Sequence, residues 1–110
     1  MFCRRCYRNR GYYRNNQQNE ISFNELKDKV SKGAILIDVR SPQEYNEGHL
    51  PGAINIPEYE IRRVKNEMPK LNQQIVVVCQ YGGRSRDAYN MLKRMGYTNV
   101  YSLKGGLEMI

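Results

Sequence analysis

The decapeptide VVVCQYGGRS, residues 76–85, joins an apolar run to a glycine-rich turn and then to a polar, basic segment. The run IVVVC, residues 75–79, is short and rich in β-branched residues, which predicts a strand buried on both faces. Apolar residues recur at helical spacing from about Arg84 to Met95, so a helix is predicted after the turn. The stretch therefore predicts a strand, a tight loop and a helix, with Cys79 at the carboxyl end of the strand.

The rest of the chain repeats this alternation of strands and helices. Two helices are predicted from capping boxes, Ser22 with Glu25 and Ser41 with Glu44. The predicted helices cover residues 22–33, 41–48, 58–68 and 84–95, and the predicted strands cover residues 35–39, 53–56, 75–79 and 99–103. Because strands that alternate with helices form parallel sheets, the sequence predicts an α/β domain with its site at the carboxyl edge of the sheet.

Size and charge predict one folded domain with a basic extension. The chain has 110 residues, of which 40% are hydrophobic and 26% are charged, as is typical of a single soluble globular domain. The formal net charge is +7, but residues 1–19 hold five arginines and no acidic residue, which leaves 13 basic and 11 acidic residues in 20–110. We expect residues 1–19 to be a disordered, solvated extension and residues 20–110 to be the domain.

Several classes of protein are disfavoured by the sequence. No run approaches the roughly 18 apolar residues of a membrane helix, and the N-terminus lacks the apolar segment of a secretory signal. Cys3, Cys6 and Cys79 are an odd number of cysteines, which argues against a disulfide framework and for a reducing cytoplasm. The Cys3-x-x-Cys6 pair is only half of a zinc site, so no metal is expected.

Cys79 can be interpreted as a nucleophile, as a metal ligand or as a small buried apolar residue. The thiolate is the reactive form of cysteine, and three neighbouring features favour it. Gly82 and Gly83 allow backbone N–H groups to form an anion nest, the predicted helix adds the partial positive charge of its N-terminus, and Arg84 adds a cation. No histidine is nearby in sequence, so the residues favour a nucleophile that is activated electrostatically rather than by a base.

The loop resembles that of the rhodanese-type sulfurtransferases. The segment CQYGGRS, residues 79–85, matches the family's Cys-x-x-Gly-x-Arg-Ser pattern. The segment LIDVRSPQEYNEGHLPGAINIP, residues 36–57, matches a second signature through its Asp-Val-Arg, Glu-Tyr and Gly-His-Leu-Pro-Gly-Ala elements, and LKGGL, residues 103–107, matches the family's Gly-Gly turn. The resemblance covers residues 20–110 and leaves out residues 1–19.

The resemblance implies a three-layer α/β domain with a five-stranded, mostly parallel sheet between helices. It also implies a reaction without a cofactor, in which the cysteine takes sulfane sulfur from a donor such as thiosulfate and passes it to a small thiol or a sulfur-acceptor protein. The implied catalytic residues are Cys79 and Arg84, and the implied substrate-binding residues are Gln80, Tyr81, Gly82, Gly83 and Ser85. The residues implied to support the loop are Asp38, Arg40, Glu44 and His49.

Other functions are less consistent with the sequence, except for a sulfur carrier. Four residues separate Cys79 from Arg84, fewer than in the cysteine phosphatases and arsenate reductases of related fold, which disfavours phosphoryl chemistry. A binding module that has lost catalysis is disfavoured because the cysteine and its loop are complete. A persulfide sulfur carrier for a partner protein needs the same cysteine and stays open. Cys3 or Cys6 is compatible with a thiol that resolves the persulfide, but a loose surface thiol is the simpler interpretation. The basic tail of residues 1–19 is compatible with RNA contact, but a solvated, mobile end is the simpler interpretation.

Overall fold

The computed structural model describes residues 19–110, so the expectations for the basic extension and for Cys3 and Cys6 lie outside the described residues. The strands are Glu20–Ile21 (β1), Ile35–Asp38 (β2), Ile54–Asn55 (β3), Ile75–Val78 (β4) and Val100–Leu103 (β5). The helices are Phe23–Ser31 (α1), Pro42–Glu47 (α2), Val64–Glu67 (α3) and Gly83–Arg94 (α4), with 3₁₀ segments at Glu58–Arg63 and Leu107–Met109. The five strands form one sheet in the order β1-β5-β4-β2-β3, and all four strand pairs are parallel.

The central strand β4 divides the core into two layers because its side chains alternate between the faces of the sheet. Ile75 and Val77 pack on the face covered by the 3₁₀ segment, α3 and α4. Val76 and Val78 pack on the opposite face, where Leu26 of α1 joins them. All four β4 side chains are 0% exposed, which explains why the sequence of this strand is an uninterrupted apolar run.

The direction in which the chain adds strands to the sheet reverses between β2 and β4. The chain leaves β2 towards β3 on one side of the sheet and leaves β4 towards β5 on the other side. The carboxyl ends of β2 and β4 are therefore neighbours that diverge, with Asp38 paired to Val78 in the last step of their register. In open parallel sheets a crevice for ligands forms at such a point.

The segment predicted as a helix over residues 58–68 has a different geometry. It is a 3₁₀ segment, Glu58–Arg63, that is interrupted by non-helical backbone at Glu60 and followed by the single α-helical turn α3. The buried side chains Ile61 and Val64 are three residues apart, and a 3₁₀ turn aligns side chains at this interval. Glu60 donates to the Pro57 carbonyl three residues earlier, so the continuous helix expected over residues 58–68 is wrong and only Val64–Glu67 is α-helical.

The strand β1 is a further element that the sequence pattern does not predict. It has two residues, too few for a period, and it pairs with β5 at the edge of the sheet. Asn19, which is expected from the sequence to belong to the extension, accepts a backbone hydrogen bond from Ser102 at 3.0 Å and donates through its side chain to the Val100 carbonyl at 3.0 Å.

Among residues 19–110, no helix has the length and apolar character needed to cross a bilayer.

Candidate functional site

The loop after β4 surrounds the sulfur of Cys79 with hydrogen-bond donors. Cys79 lies one residue beyond the strand and is 1% exposed. Its Sγ accepts hydrogen bonds from the backbone N–H groups of Gly82 at 2.9 Å and Ser85 at 3.2 Å. The thiol donates to the Ser85 hydroxyl oxygen at 3.4 Å, and that hydroxyl donates to the Gly82 carbonyl at 3.1 Å. Because two backbone donors converge on the sulfur, the loop stabilises a negative charge there.

The sulfur also occupies the position of a helix cap. In α2 the Ser41 hydroxyl accepts a hydrogen bond from the backbone N–H of Glu44, the third helical residue, and α1 is capped in the same way. α4 follows Gly82, which has no side chain to provide such a bond. Cys79 Sγ accepts it instead, from the N–H of Ser85, the third residue of α4. An anion at this sulfur therefore interacts favourably with the N-terminus of α4.

Arg84 is paired with Glu44 across the site. Its Nη1 donates to Glu44 Oε1 at 2.7 Å and its Nη2 donates to Oε2 at 3.0 Å, which ties the first turn of α4 to α2. The hydrogen bond from Arg84, with a smaller contribution from the Ser41 backbone N–H, lowers the pKa of Glu44 to about 2. The same hydrogen bond raises the pKa of Arg84. The sequence predicts a cation at this position but does not identify the carboxylate that balances it.

Asp38 and Arg40, at the end of β2, form a buried pair beside the loop. Arg40 donates to Asp38 through its backbone N–H at 3.0 Å, through Nε at 3.0 Å and through Nη2 at 2.7 Å. The hydrogen bond to Asp38 raises the pKa of Arg40. Arg40 also donates through Nη2 to the Gly48 carbonyl at 2.7 Å and through Nη1 to the side-chain oxygen of Gln80 at 3.2 Å. The pair thus connects the end of β2 with α2 and with the loop after β4.

The turn after β5 lies directly against the first two residues of the loop. The N–H of Leu107 donates to the Cys79 carbonyl at 2.8 Å, and the N–H of Glu108 donates to the Gln80 carbonyl at 2.9 Å. A Cβ on Gly106 would lie 2.6 Å from the Gln80 oxygen and 2.7 Å from the Cys79 oxygen, so no side chain fits there. The two glycines of LKGGL were the only signal for this contact in the sequence, and no pattern pointed to Glu108.

The remaining predicted site residues take different places. Tyr81 is 73% exposed at the tip of the loop, and Gly83 is the first residue of α4. His49 is exposed, its Nδ1 lies 2.8 Å from the Tyr45 carbonyl, and its ring stacks on the Tyr45 ring with centroids 3.7 Å apart. Within the described part of the chain, no group of three or more His, Cys, Asp or Glu side chains is placed to hold a metal ion.

Comparison with known proteins identifies the family. The profile described as the rhodanese-like domain matches residues 22–110. The thiosulfate sulfurtransferase GlpE of Pseudomonas syringae is 36% identical over 78 residues, which are 71% of this chain and 73% of that protein. The thiosulfate sulfurtransferase PspE of Escherichia coli is 43% identical over 75 residues, 67% of this chain and 71% of that protein. The solved structure of the human single-domain sulfurtransferase TSTD1 has a TM-score of 0.71 at 31% identity, covering 80% of this chain and 90% of that one. With a family match over most of its length, a five-stranded parallel sheet flanked by helices and a cysteine loop at its carboxyl edge, the chain belongs to the rhodanese-like domain family.

Proposed function

We propose that this protein is a sulfurtransferase that carries sulfane sulfur on Cys79, with thiosulfate as a donor. The observation that carries the proposal is the environment of Cys79 Sγ, which accepts N–H hydrogen bonds from Gly82 at 2.9 Å and Ser85 at 3.2 Å. This environment supports a thiolate without a neighbouring general base. Membership of the rhodanese-like family and relatives named as thiosulfate sulfurtransferases support the same class of reaction.

In the first step the Cys79 thiolate attacks the outer sulfur of thiosulfate. A bond forms between Sγ and that sulfur, the sulfur–sulfur bond of thiosulfate breaks, and sulfite leaves with the electron pair. The cysteine becomes a persulfide anion, so the two negative charges of the donor leave on sulfite and the single charge of the thiolate passes to the outer sulfur. Backbone N–H groups of the loop are suited to this step because they stabilise an anion in both reactant and product.

In the second step a nucleophilic acceptor attacks the outer sulfur of the persulfide. A bond forms between the acceptor and this sulfur, the persulfide bond breaks, and the Cys79 thiolate is regenerated. Cyanide gives thiocyanate in this way, and a thiolate gives a new persulfide on a small thiol or on a sulfur-acceptor protein. We place the exchange in a reducing compartment such as the cytoplasm, where free thiols persist as acceptors.

In this proposal Arg84 holds the loop rather than contacting the sulfur as a free cation. Its guanidinium is engaged by both oxygens of Glu44, at 2.7 and 3.0 Å, and this pair fixes the start of α4. Asp38 and Arg40 support the loop from the end of β2 through the contact with Gln80. The N–H groups of the loop, presented by the turn at Gly82, then serve as the binding groups for the transferred sulfur.

The proposal is tested by the intact mass of the protein after incubation with thiosulfate. We expect a gain of one sulfur atom, retained in a C3S/C6S variant and absent from C79S. The labelled protein should return to its original mass when cyanide is added, with release of thiocyanate. A wild-type protein that gains no sulfur, or that gains it equally in C79S, contradicts the proposal. Turnover of an aryl phosphate without any thiosulfate:cyanide transfer would assign a different chemistry to the loop.

A further inference from the structure

We propose that Glu108 is a positioning residue for Cys79. With the turn around Gly106, it holds Gln80 and so keeps the first half of the loop in the shape that presents N–H groups to the sulfur. The activity part of this inference rests on the proposed sulfur transfer, whereas the geometry of the thiol can be measured independently. Neither the sequence motifs nor the role expected for Gln80 points to this contact.

The backbone of the segment Gly106–Glu108 engages both carbonyl groups at the start of the loop. Leu107 donates to the Cys79 carbonyl at 2.8 Å, and Glu108 donates to the Gln80 carbonyl at 2.9 Å. A carbonyl oxygen turned towards Sγ would repel a thiolate, whereas an N–H group attracts it. By binding these two carbonyls, the segment stabilises the loop shape in which N–H groups face the sulfur.

The side chain of Gln80 lies between a cation and an anion. Its Oε1 accepts a hydrogen bond from Arg40 Nη1 at 3.2 Å, and its Nε2 donates to Glu108 Oε1 at 2.7 Å. The amide has only one workable orientation here, because a flip would place oxygen against the carboxylate and NH₂ against the guanidinium. Arg40 is itself held in place by buried Asp38, with Nη2 donating to Oδ2 at 2.7 Å, so the group that binds the Gln80 oxygen is fixed.

This arrangement assigns the side chain of Gln80 a role in holding the loop, which is separate from the substrate-binding role implied for the backbone of the loop. The oxygen of its amide is bound by Arg40 and the nitrogen by Glu108, so the side chain connects the end of β2 to the turn after β5. Among the described partners of this amide, only Glu108 accepts a hydrogen bond with a charged group. Removing the carboxylate leaves the Nε2 end of Gln80 without that partner, so the side-chain connection to the turn after β5 is lost while the backbone hydrogen bonds to residues 79 and 80 remain.

The first test compares E108A and E108Q in a C3S/C6S background of the full chain. The measurements are the rate of Cys79 alkylation by iodoacetamide across pH and the kcat and KM of thiosulfate:cyanide transfer. We expect E108A to lower alkylation and kcat/KM about fivefold, because an exposed charged hydrogen bond is lost, with little change in Tm. E108Q keeps an oxygen that accepts from Gln80 and should retain near wild-type rates. E47A removes an exposed carboxylate from α2 and is the matched control for charge.

The second test exchanges the two side chains. Q80E places two carboxylates against each other and should lower both rates. In Q80E/E108Q the carboxylate at position 80 accepts from Arg40 and from the new amide at position 108, so the double variant should recover most of the loss. Equal rates for E108A and E47A, or a double variant no faster than Q80E, would overturn the inference. A slowed alkylation in E108A together with no sulfur transfer by the wild type would refute only the proposed function.

Discussion

Replacing Glu44 by glutamine should weaken the connection between α2 and α4 while leaving the cap of α2 in place. A glutamine keeps the side-chain oxygen that accepts from the Ser41 backbone N–H at 3.1 Å. It loses the negative charge that faces Arg84 at 2.7 and 3.0 Å. The substitution therefore isolates the ion pair that holds the first turn of α4, where the cysteine loop ends.

The size of the effect follows from the pKa of Glu44 and from its exposure. The pKa is about 2 in the folded protein against an ordinary value of 4.5, and a difference of about 2.5 corresponds to about 3 kcal/mol. The side chains of Glu44 and Arg84 are 35% and 38% exposed, so solvent screens the pair. Part of the shift also comes from Ser41. We therefore expect E44Q to lower the free energy of unfolding by about 1 kcal/mol and the Tm by about 5 °C.

The difference between wild type and E44Q should depend on pH in one direction. Because folding lowers the pKa of Glu44, its contribution is fully present above the unfolded value of 4.5 and is lost as the pH falls through about 2. The Tm difference should be constant from about pH 7 to about pH 5 and should shrink steadily as the pH approaches about 2.5. Thermal unfolding followed by circular dichroism at a series of pH values measures this directly.

The matched control is E25Q in α1. Glu25 occupies the same place in a capping box, accepting from the Ser22 backbone N–H at 2.8 Å, but no arginine pairs with it among residues 19–110. The hydrogen bond from the Ser22 backbone N–H lowers the pKa of Glu25, and E25Q keeps the capping oxygen. This variant therefore measures the loss of a carboxylate charge from a capping box that has no arginine partner. Equal Tm losses for E25Q and E44Q, or a loss for E44Q that persists unchanged in acid, would show that the pair with Arg84 adds no stability.

Three further substitutions, with one control outside the site, test other parts of the site. Ser85→Ala removes the hydroxyl beside the sulfur but keeps the N–H donors, so kcat/KM for thiosulfate:cyanide transfer should fall about fivefold; a loss beyond about a hundredfold would assign the charge stabilisation to the hydroxyl. Gly106→Ala combines a backbone at φ 75° and ψ −172° with contacts of 2.6 and 2.7 Å to backbone oxygens, and urea unfolding should show a loss of about 3 kcal/mol. Gly33→Ala, whose φ is 103° but whose surroundings are open, should lose only about 1 kcal/mol, and equal losses would contradict the argument from contact. Asp38→Ala leaves Arg40 buried without its carboxylate, and a loss of stability of about 3 kcal/mol is expected in the same assay; a loss below about 1 kcal/mol would mean that the pair is screened.

Much of the fold could be predicted because its signals are local. The capping boxes at Ser22 and Ser41 both form as predicted, and the run before Cys79 is the buried central strand. The five-stranded sheet implied by the family resemblance is confirmed, and all its strand pairs are parallel. The 3₁₀ segment at Glu58–Arg63 could not be predicted, because buried side chains three residues apart fit a 3₁₀ turn and an α-helix equally well. β1 could not be predicted either, because its two residues acquire a strand conformation only by pairing with β5.

The site divides in the same way between local and distant contacts. The donors to the cysteine sulfur come from the next six residues, so the loop sequence was sufficient to predict a turn that directs backbone N–H groups inwards. The partner of Arg84 is 40 residues away at Glu44, and Gln80 contacts residues 40 positions before it and 28 positions after it. A single sequence contains no periodicity that joins such positions. Only the packing of the turn after β5 against the loop reveals the part played by Glu108.

Among residues 19–110, the groups that donate hydrogen bonds to Cys79 Sγ are backbone N–H groups. Arg40 and Arg84 each have a carboxylate partner, so most of their charge is balanced within the protein. The N–H groups of Gly82 and Ser85 and the N-terminus of α4 supply positive potential at the sulfur, and Arg84 also interacts with Cys79 electrostatically. These groups do not titrate and are held in place by the fold. A thiolate stabilised in this way needs no histidine beside it, and the same donors can serve an anion that has gained one sulfur atom. Arg84, which the sequence presents as one of three features that favour a thiolate, also fixes the start of α4 through its pair with Glu44.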